Sequence, residues 1–444
     1  MKKIIFLSII TYLKVLAKIQ LFKWRPIVIG VTGTSGKTST LHALEAILKE
    51  FSSLKVGHKA NSESGLPINI LGLKLVDFSW KSWLKVLLLA PWQILFYWPK
   101  EKLYVAEMAI DSPHSPKNMS YLLGIIRPNI GIFLNADTTH SETFDHLAIS
   151  TKPEKRRLEI ARLIANEKGK MIQALPSSGC AILNKDDLNA FSFGKQTNAN
   201  VISFGKDRNA HVKFVDHQPS LTGTKFIFKI EEKKVVVFFN QLALPTHYGY
   251  TFSAALGCAL FLQIPLQKAV KTLENHFNLP PGRATLLFGI NNSYILDSSY
   301  NSSLHPLLDS LRLLNRISPK RKIALLADIR ELGEQSKTDH QIAARQMIKS
   351  CDLVILVGPL MKKYAFPVIK NSKLECHWFA TANQAANFLS KILKKDDLLL
   401  VKGSQNTLLL EIAIEKLLAN PAQDKKLLCR RGEYWDKKRN QLLQ

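Results

Sequence analysis

The chain has 444 residues, more than one ordinary domain holds at roughly 100–200 residues each, so two or three domains are expected. A content of 46% hydrophobic and 22% charged residues excludes a disordered or fibrous chain, while 61 Lys+Arg against 35 Asp+Glu give a net charge of +26 that draws polyanions, whether nucleic acid, anionic membrane or phosphorylated small molecules. The five cysteines (Cys180, Cys258, Cys351, Cys376 and Cys429) are odd in number and far apart, which argues against zinc or disulfides and for a reducing compartment.

In chain order, residues 1–25 form a basic apolar segment in which Lys14, Lys18 and Lys23 interrupt the hydrophobic run. Its longest uncharged stretch, 4–13, is about half of the ~20 residues that span a bilayer. A helix lying in the membrane interface is expected, against a helix packed on the following domain. Residues 27–31 (IVIGV) read as a short buried strand, and Leu41, Leu44, Ile47, Leu48 and Phe51 recur at helical spacing after it. A hydrophobic insertion at 78–100 contains WKSWLKVLLLAPWQILFYW, whose tryptophans and lysines suit a headgroup layer or a hairpin over a substrate. Further strands are expected at 103–106, 130–134 and 181–183, the alternation of a parallel α/β sheet. Residues 225–230 and 234–240 read instead as paired antiparallel strands, a small appended sheet. Pro280, Pro281 and Gly282 punctuate the chain, and the alternation restarts with strands expected at 294–296, 323–327, 353–357 and 398–401. The expected organisation is a central ATPase domain over 26–283 and a Rossmann-like α/β domain over 284–444.

Gly33-Thr34-Ser35-Gly36-Lys37-Thr38-Ser39 follows a strand and opens a helix, the context in which backbone N–H groups and a helix N-terminus bind phosphate. Lys37 is expected to reach the β- and γ-phosphates of ATP and the Thr38 hydroxyl to meet Mg²⁺. The general spacing G-x-x-x-x-G-K-[ST] fails, because Val31 stands where its first glycine belongs.

The shorter loop, with Thr32 ahead of it, resembles the T-G-[TS]-[NS]-G-K-[TS] signature of the Mur ligases, the ATP-dependent peptide-adding enzymes of bacterial cell-wall synthesis. Further blocks follow in the family's order: Glu107-Met108-Ala109; Arg127-Pro128 with Asn135 and His140; Asn184-Lys185-Asp186-Asp187; Pro281-Gly282-Arg283. Asp297 with Tyr300-Asn301, Asp328 through Glu331 to Glu334, His340 and Lys402-Gly403-Ser404 resemble the branch that adds D-alanyl-D-alanine to a UDP-muramoyl tripeptide.

The resemblance implies ligation through an acyl-phosphate, with Lys37, Lys168 and His140 as catalytic residues. It implies one or two Mg²⁺ ions held by Thr38, Glu107 and His140, and carbamylation of Lys168 into a metal-binding carboxylate. Arg283 and Asp297 join the loop as ATP contacts, and Tyr300, Asn301, Asp328, Glu331 and Lys402 are the implied substrate residues. The implied partners are a cell-wall precursor and an amino acid or dipeptide, in the cytoplasm, with nucleic acid not expected. Segments 1–24 and 80–98 add an expected contact with the inner face of the plasma membrane.

Three departures bear on specificity. The family's H-N-x-x-N block is His247-Tyr248-Gly249-Tyr250-Thr251 here, so neither asparagine is present at the adenine position, and Tyr248 and Thr251 stand in their place. Asp297-Ser298 replaces a pair of aspartates. Members also carry a uridine-binding domain ahead of the loop, which here begins at Thr32; the expectation is a partner that supplies acceptor binding, or a lipid-linked acceptor. Two alternatives stay open at the level of sequence. One is a ligase of the folate-polyglutamate or cyanophycin type, and the other a non-catalytic basic nucleotide-binding protein at membrane or nucleic acid.

Overall fold

The computed structural model describes residues 2–58, 60–75, 79–137, 142–330, 336–403 and 408–443. The chain divides into two compact units, Met1–Asp216, Ile227–Val237 and His247–Asn278 against His217–Phe226, Phe238–Thr246 and Leu279–Gln444.

The first sheet has nine strands: β1 (Ile27–Thr32), β2 (Leu54–Val56), β3 (Leu103–Glu107), β4 (Ile130–Phe133), β5 (Cys180–Asn184), β6 (Asn200–Gly205), β7 (Val212–Pro219), β8 (Gly223–Ile230) and β9 (Lys233–Asn240). Their order is β2-β3-β1-β4-β5-β6-β7-β8-β9. β1, β3, β4 and β5 are parallel and buried along nearly their whole length, which explains their continuous apolar sequences. From β1 the chain first builds β2 and β3 on one side and then crosses to β4 on the other. Ligands of open α/β sheets bind at the carboxyl ends beside such a switch. The expected antiparallel strands, β8 and β9, extend the edge of this sheet through a two-residue link whose Glu231 (φ 49°) and Glu232 (φ 64°) both take positive φ.

The second sheet comprises β10 (Thr285–Gly289), β11 (Ser293–Ser298), β12 (Arg321–Ala327), β13 (Leu353–Val357), β14 (Glu375–Phe379) and β15 (Asp397–Lys402), in the order β10-β11-β15-β12-β13-β14. Only β10 runs antiparallel, as a short edge. The register sets Asp297 opposite Val401 and Ser298 opposite Lys402, so the carboxyl ends of β11 and β15 deliver their polar residues together.

The N-terminal segment is a helix, Lys2–Trp24, with a buried stripe of Ile10, Leu13, Ala17 and Gln20. That stripe packs on the first unit, where Leu13 joins Ile68, Leu71, Val86 and Ala90. Ile4–Trp24 is also the one described helix long and apolar enough to cross a membrane by length and composition (mean hydropathy 1.8), although its uncharged run is short. The insertion forms a helix over Trp80–Phe96 that continues through Pro91. Proline cannot donate to the carbonyl one turn back, and that carbonyl, of Leu87, accepts instead from the Tyr12 hydroxyl at 3.4 Å.

Candidate functional site

Between β1 and the helix Lys37–Leu48 the chain turns through Gly36 at φ 85°, a conformation that favours glycine. The loop is braced before any ligand arrives. Asn135 Oδ1 accepts from the backbone N–H of Thr34 (3.0 Å) and of Ser35 (2.9 Å). Lys37 folds back so that Nζ donates to the carbonyls of Gly33 (2.9 Å) and Thr34 (3.3 Å). Burial lowers the Lys37 pKa, while Glu107 and Asp111 pull it the other way.

Glu107, at the end of β3 and 4% exposed, accepts from the Thr38 hydroxyl through Oε2 (3.1 Å) and from Asn61 Nδ2 through Oε1 (3.2 Å). Register fixes this meeting, since Glu107 lies opposite Val31 in the neighbouring strand. A carboxylate and a hydroxyl oxygen converging at a phosphate loop form a hard donor set that fits Mg²⁺. Lys168, from the helix Pro153–Gln173, donates to the same Gly33 carbonyl at 3.1 Å. Its pKa is pushed down to about 7, first by burial and next by the Lys37 charge, with Asp111 and Glu107 offsetting part of the fall. Lys37, Glu107, Asp111, Asn61 and Lys168 thus line one cavity of about 160 Å³. Ser39, in the first turn of the helix, is half-buried.

On the other side of the loop a wider cavity of about 540 Å³ runs from Ser35 and Gly36 past Asn184 and Asp187 to His247, Tyr250 and Thr251. The departing block therefore does line a space adjoining the loop. Tyr250 donates its hydroxyl to Asp186 Oδ2 (2.9 Å), and burial followed by that bond raises the Tyr250 pKa.

The second unit assembles a different group. Asp297 is fully buried, accepts from Ser299 N at 2.9 Å, and has its carboxyl pKa raised by burial. Lys402 Nζ donates to the Asn301 carbonyl (2.9 Å), with its pKa lowered to about 8 by burial first and the Arg283 charge second. The Arg283 guanidinium lies 4.9 Å from the Tyr300 ring centre. Arg430, from the C-terminal segment, donates to Glu411 (3.1 Å) and to the Tyr300 carbonyl. Asp328 is held apart by the Met361 N–H at 2.8 Å. His340 is completely buried and accepts from Ile329 N at 3.2 Å, a structural arrangement.

His140 and Glu331 lie outside the described residues. Asn61, Asp111 and Arg430 escape a motif reading. Asn61 and Arg430 carry no spacing signal, whereas Asp111, four residues past Glu107, was within reach as a second carboxylate beyond a strand end.

Residues 31–259 match the Mur ligase middle domain, and residues 282–405 match the Mur ligase, glutamate ligase domain. The chain is 25% identical over 399 residues to the UDP-N-acetylmuramoyl-tripeptide--D-alanyl-D-alanine ligase of Synechocystis sp., covering 89% of this chain and 75% of that protein. The enzyme of the same name from Escherichia coli is 23% identical over 392 residues, at 87% and 75% coverage. Among solved structures, MurF from Acinetobacter baumannii superposes with a TM-score of 0.71 at 19% identity, covering 93% of this chain and 81% of that one. MurF ligase from Thermotoga maritima in complex with ADP gives 0.67 at 22% identity, with 92% and 83% covered.

Proposed function

We propose, from the premise that this chain belongs to the Mur ligase family of ATP-dependent amide ligases, that it joins a D-alanyl-D-alanine dipeptide to the peptide carboxylate of a muramoyl precursor in the cytoplasm. The observation that carries this reading is the single cavity holding Lys37, Glu107 and Lys168 beside the phosphate loop.

A carboxylate oxygen of the acceptor attacks the γ-phosphorus of ATP and ADP leaves. The amine then attacks the acyl carbon, loses a proton, and expels inorganic phosphate to leave an amide. Charge accumulates on phosphoryl oxygens, so positioned cations supply most of the help. Lys37 would leave its loop carbonyls for the phosphates. Thr38 and Glu107 would hold Mg²⁺, which neutralises phosphate charge when bound.

Lys168 suits carbamylation. Its pKa of about 7 keeps a large neutral fraction near neutrality, and a neutral amine is the form that adds CO₂, releasing one proton and gaining a carboxylate. Arg283, Asp297, Tyr300, Asn301 and Lys402 form the group to which we assign the nucleotide edge and the incoming dipeptide.

ADP release is the test. Omission of the UDP-linked tripeptide should abolish ADP release in the parent chain, omission of the dipeptide should limit it to about one equivalent per chain, the acyl-phosphate step alone, and Lys37→Ala should slow steady-state release about 10²–10³-fold with both present. Continued turnover of ATP independent of the amine would count against ligation.

A second reading concerns location. The helices Lys2–Trp24 and Trp80–Phe96 meet through Phe6 and Trp83, whose ring centres lie 6.4 Å apart, and through Tyr12. Together they expose Ile4, Phe22, Trp80, Leu88, Trp92, Leu95, Phe96 and Trp98, each at least 58% accessible. Residues 2–44 and 79–100 contain lysines and one arginine but no acidic residue. Such a surface fits an anionic bilayer contacted from one side. The exposed-face triple change Trp80→Glu, Trp92→Glu, Phe96→Glu should release the chain from anionic vesicles, and unchanged co-sedimentation would refute the contact.

A further inference from the structure

We infer that the outer end of the phosphate-loop helix carries a transition-metal site, separate from the Mg²⁺ position, built by His42, Glu45 and His58. Their ligand atoms all lie within 4.8 Å of one another, the one such convergence of His, Cys, Asp or Glu among the described residues.

The helix Lys37–Leu48 sets two of the donors. Residues three apart share a face of a helix, so His42 and Glu45 project together. His58 reaches them from the segment that follows β2. Its Nε2 lies 2.7 Å from Glu45 Oε2, the contact in which a proton joins two groups that an ion could bridge. The imidazoles of His42 and His58 stack at 4.5 Å between centres and 27° between planes. All three side chains are half-buried, which leaves room for water to complete the coordination. A cavity of about 590 Å³, lined also by Glu50 and His276, opens beside His42 and Glu45 and gives an ion a way in.

Two imidazoles and one carboxylate suit Zn²⁺, Co²⁺ or Ni²⁺ over Mg²⁺, which prefers oxygen donors and its own water. With a divalent ion the carboxylate leaves a net charge of +1, tolerable at a half-exposed position.

The site joins two pieces of chain that also meet at Glu107. Thr38 stands four residues before His42 and Asn61 three residues after His58, and the two bind opposite oxygens of the Glu107 carboxylate. An ion at His42, Glu45 and His58 therefore clamps the segment carrying Asn61 onto the helix carrying Thr38. It fixes the surroundings of Glu107 without touching the nucleotide.

The experiment uses the chelator-treated full-length chain, held in excess Mg²⁺ and titrated with Co²⁺ as a visible probe. One equivalent should bind with ligand-field absorption and should slow amide hydrogen exchange across residues 57–62. His42→Ala and His58→Ala should each abolish the absorption and the protection, and Glu45→Gln should weaken both, while metal-free melting stays at the parent value. Glu107→Gln, which alters the carboxylate beside Thr38, should keep the absorption. Absence of stoichiometric absorption in the parent chain, or its persistence in both histidine variants, would overturn the site. So would its loss in Glu107→Gln alone, which would assign the ion to the nucleotide cavity.

Discussion

Lys168 and Lys402 are both buried lysines with pKa values pushed down, to about 7 and about 8, and both donate to a loop carbonyl. Their surroundings differ. Around Lys168 the polar side chains are matched: Asn135 holds the loop N–H groups, Glu107 takes a donor on each oxygen, and Lys37 rests on carbonyls. Around Lys402, Asp297 Oδ2, Arg283 Nε, Ser302 Oγ and Glu411 Oε1 are buried with no hydrogen-bond partner among the described residues. Buried polar groups are normally satisfied. The first region is therefore saturated by its own protein partners, whereas the second retains buried polar atoms that water or a bound group could take up.

The largest effect should come from the second region. Arg430→Met leaves the Glu411 carboxylate buried without its cation, and breaking such a pair typically costs about 3–5 kcal/mol. Denaturant unfolding should report that loss, and a change below about 1 kcal/mol would show that the pair is not a support. In the first region Lys37→Ala should lower the ligation rate about 10²–10³-fold with little change in melting temperature, because its loss removes a phosphate-directed charge and no packing. Glu107→Gln should raise the Mg²⁺ concentration needed for half-maximal rate while leaving metal-free nucleotide binding unchanged, as equilibrium titration would reveal.

Lys168 supplies the pH dependence. At fixed dissolved CO₂ the neutral fraction of an amine with pKa about 7 falls about fivefold from pH 7 to pH 6, and CO₂ stimulation should fall with it. The stability consequence has a definite sign: the folded pKa lies below that of the unfolded lysine, so stability rises between pH 7 and about 10.5, where only the unfolded chain binds the proton. The smallest effect should be that of Asn135→Ala. It removes the side-chain bonds to Thr34 N, Ser35 N and the Ser35 carbonyl, each worth about 0.5 kcal/mol at this partly exposed position, and should weaken ATP binding roughly tenfold.

The same contrast explains what was legible in the sequence. The phosphate loop is local: Gly33 to Thr38, the strand before it and the helix after it lie in one stretch, and the buried parallel strands announce themselves as apolar runs. Glu107 and Lys168 became readable through the family resemblance, and the fold brings both to the loop. The short or half-exposed strands β2, β7 and β14 went unread because their apolar pattern is weak, and β6 because only part of it is buried, while β10, with the apolar run Leu286-Leu287-Phe288, was legible and was missed. Arg430 could not be found, since what makes it matter is a meeting with Glu411 and the Tyr300 carbonyl after folding. Asp328 was expected beside substrate, and its tie to Met361 N is equally a tertiary event.

The most direct test of the account follows oxygen. An acceptor tripeptide labelled with ¹⁸O in the carboxylate that becomes the amide is incubated with ATP, Mg²⁺ and D-alanyl-D-alanine. An acyl-phosphate route places one ¹⁸O atom in the phosphate released for every amide formed from fully labelled acceptor. Unlabelled phosphate, with ADP still produced, would contradict it.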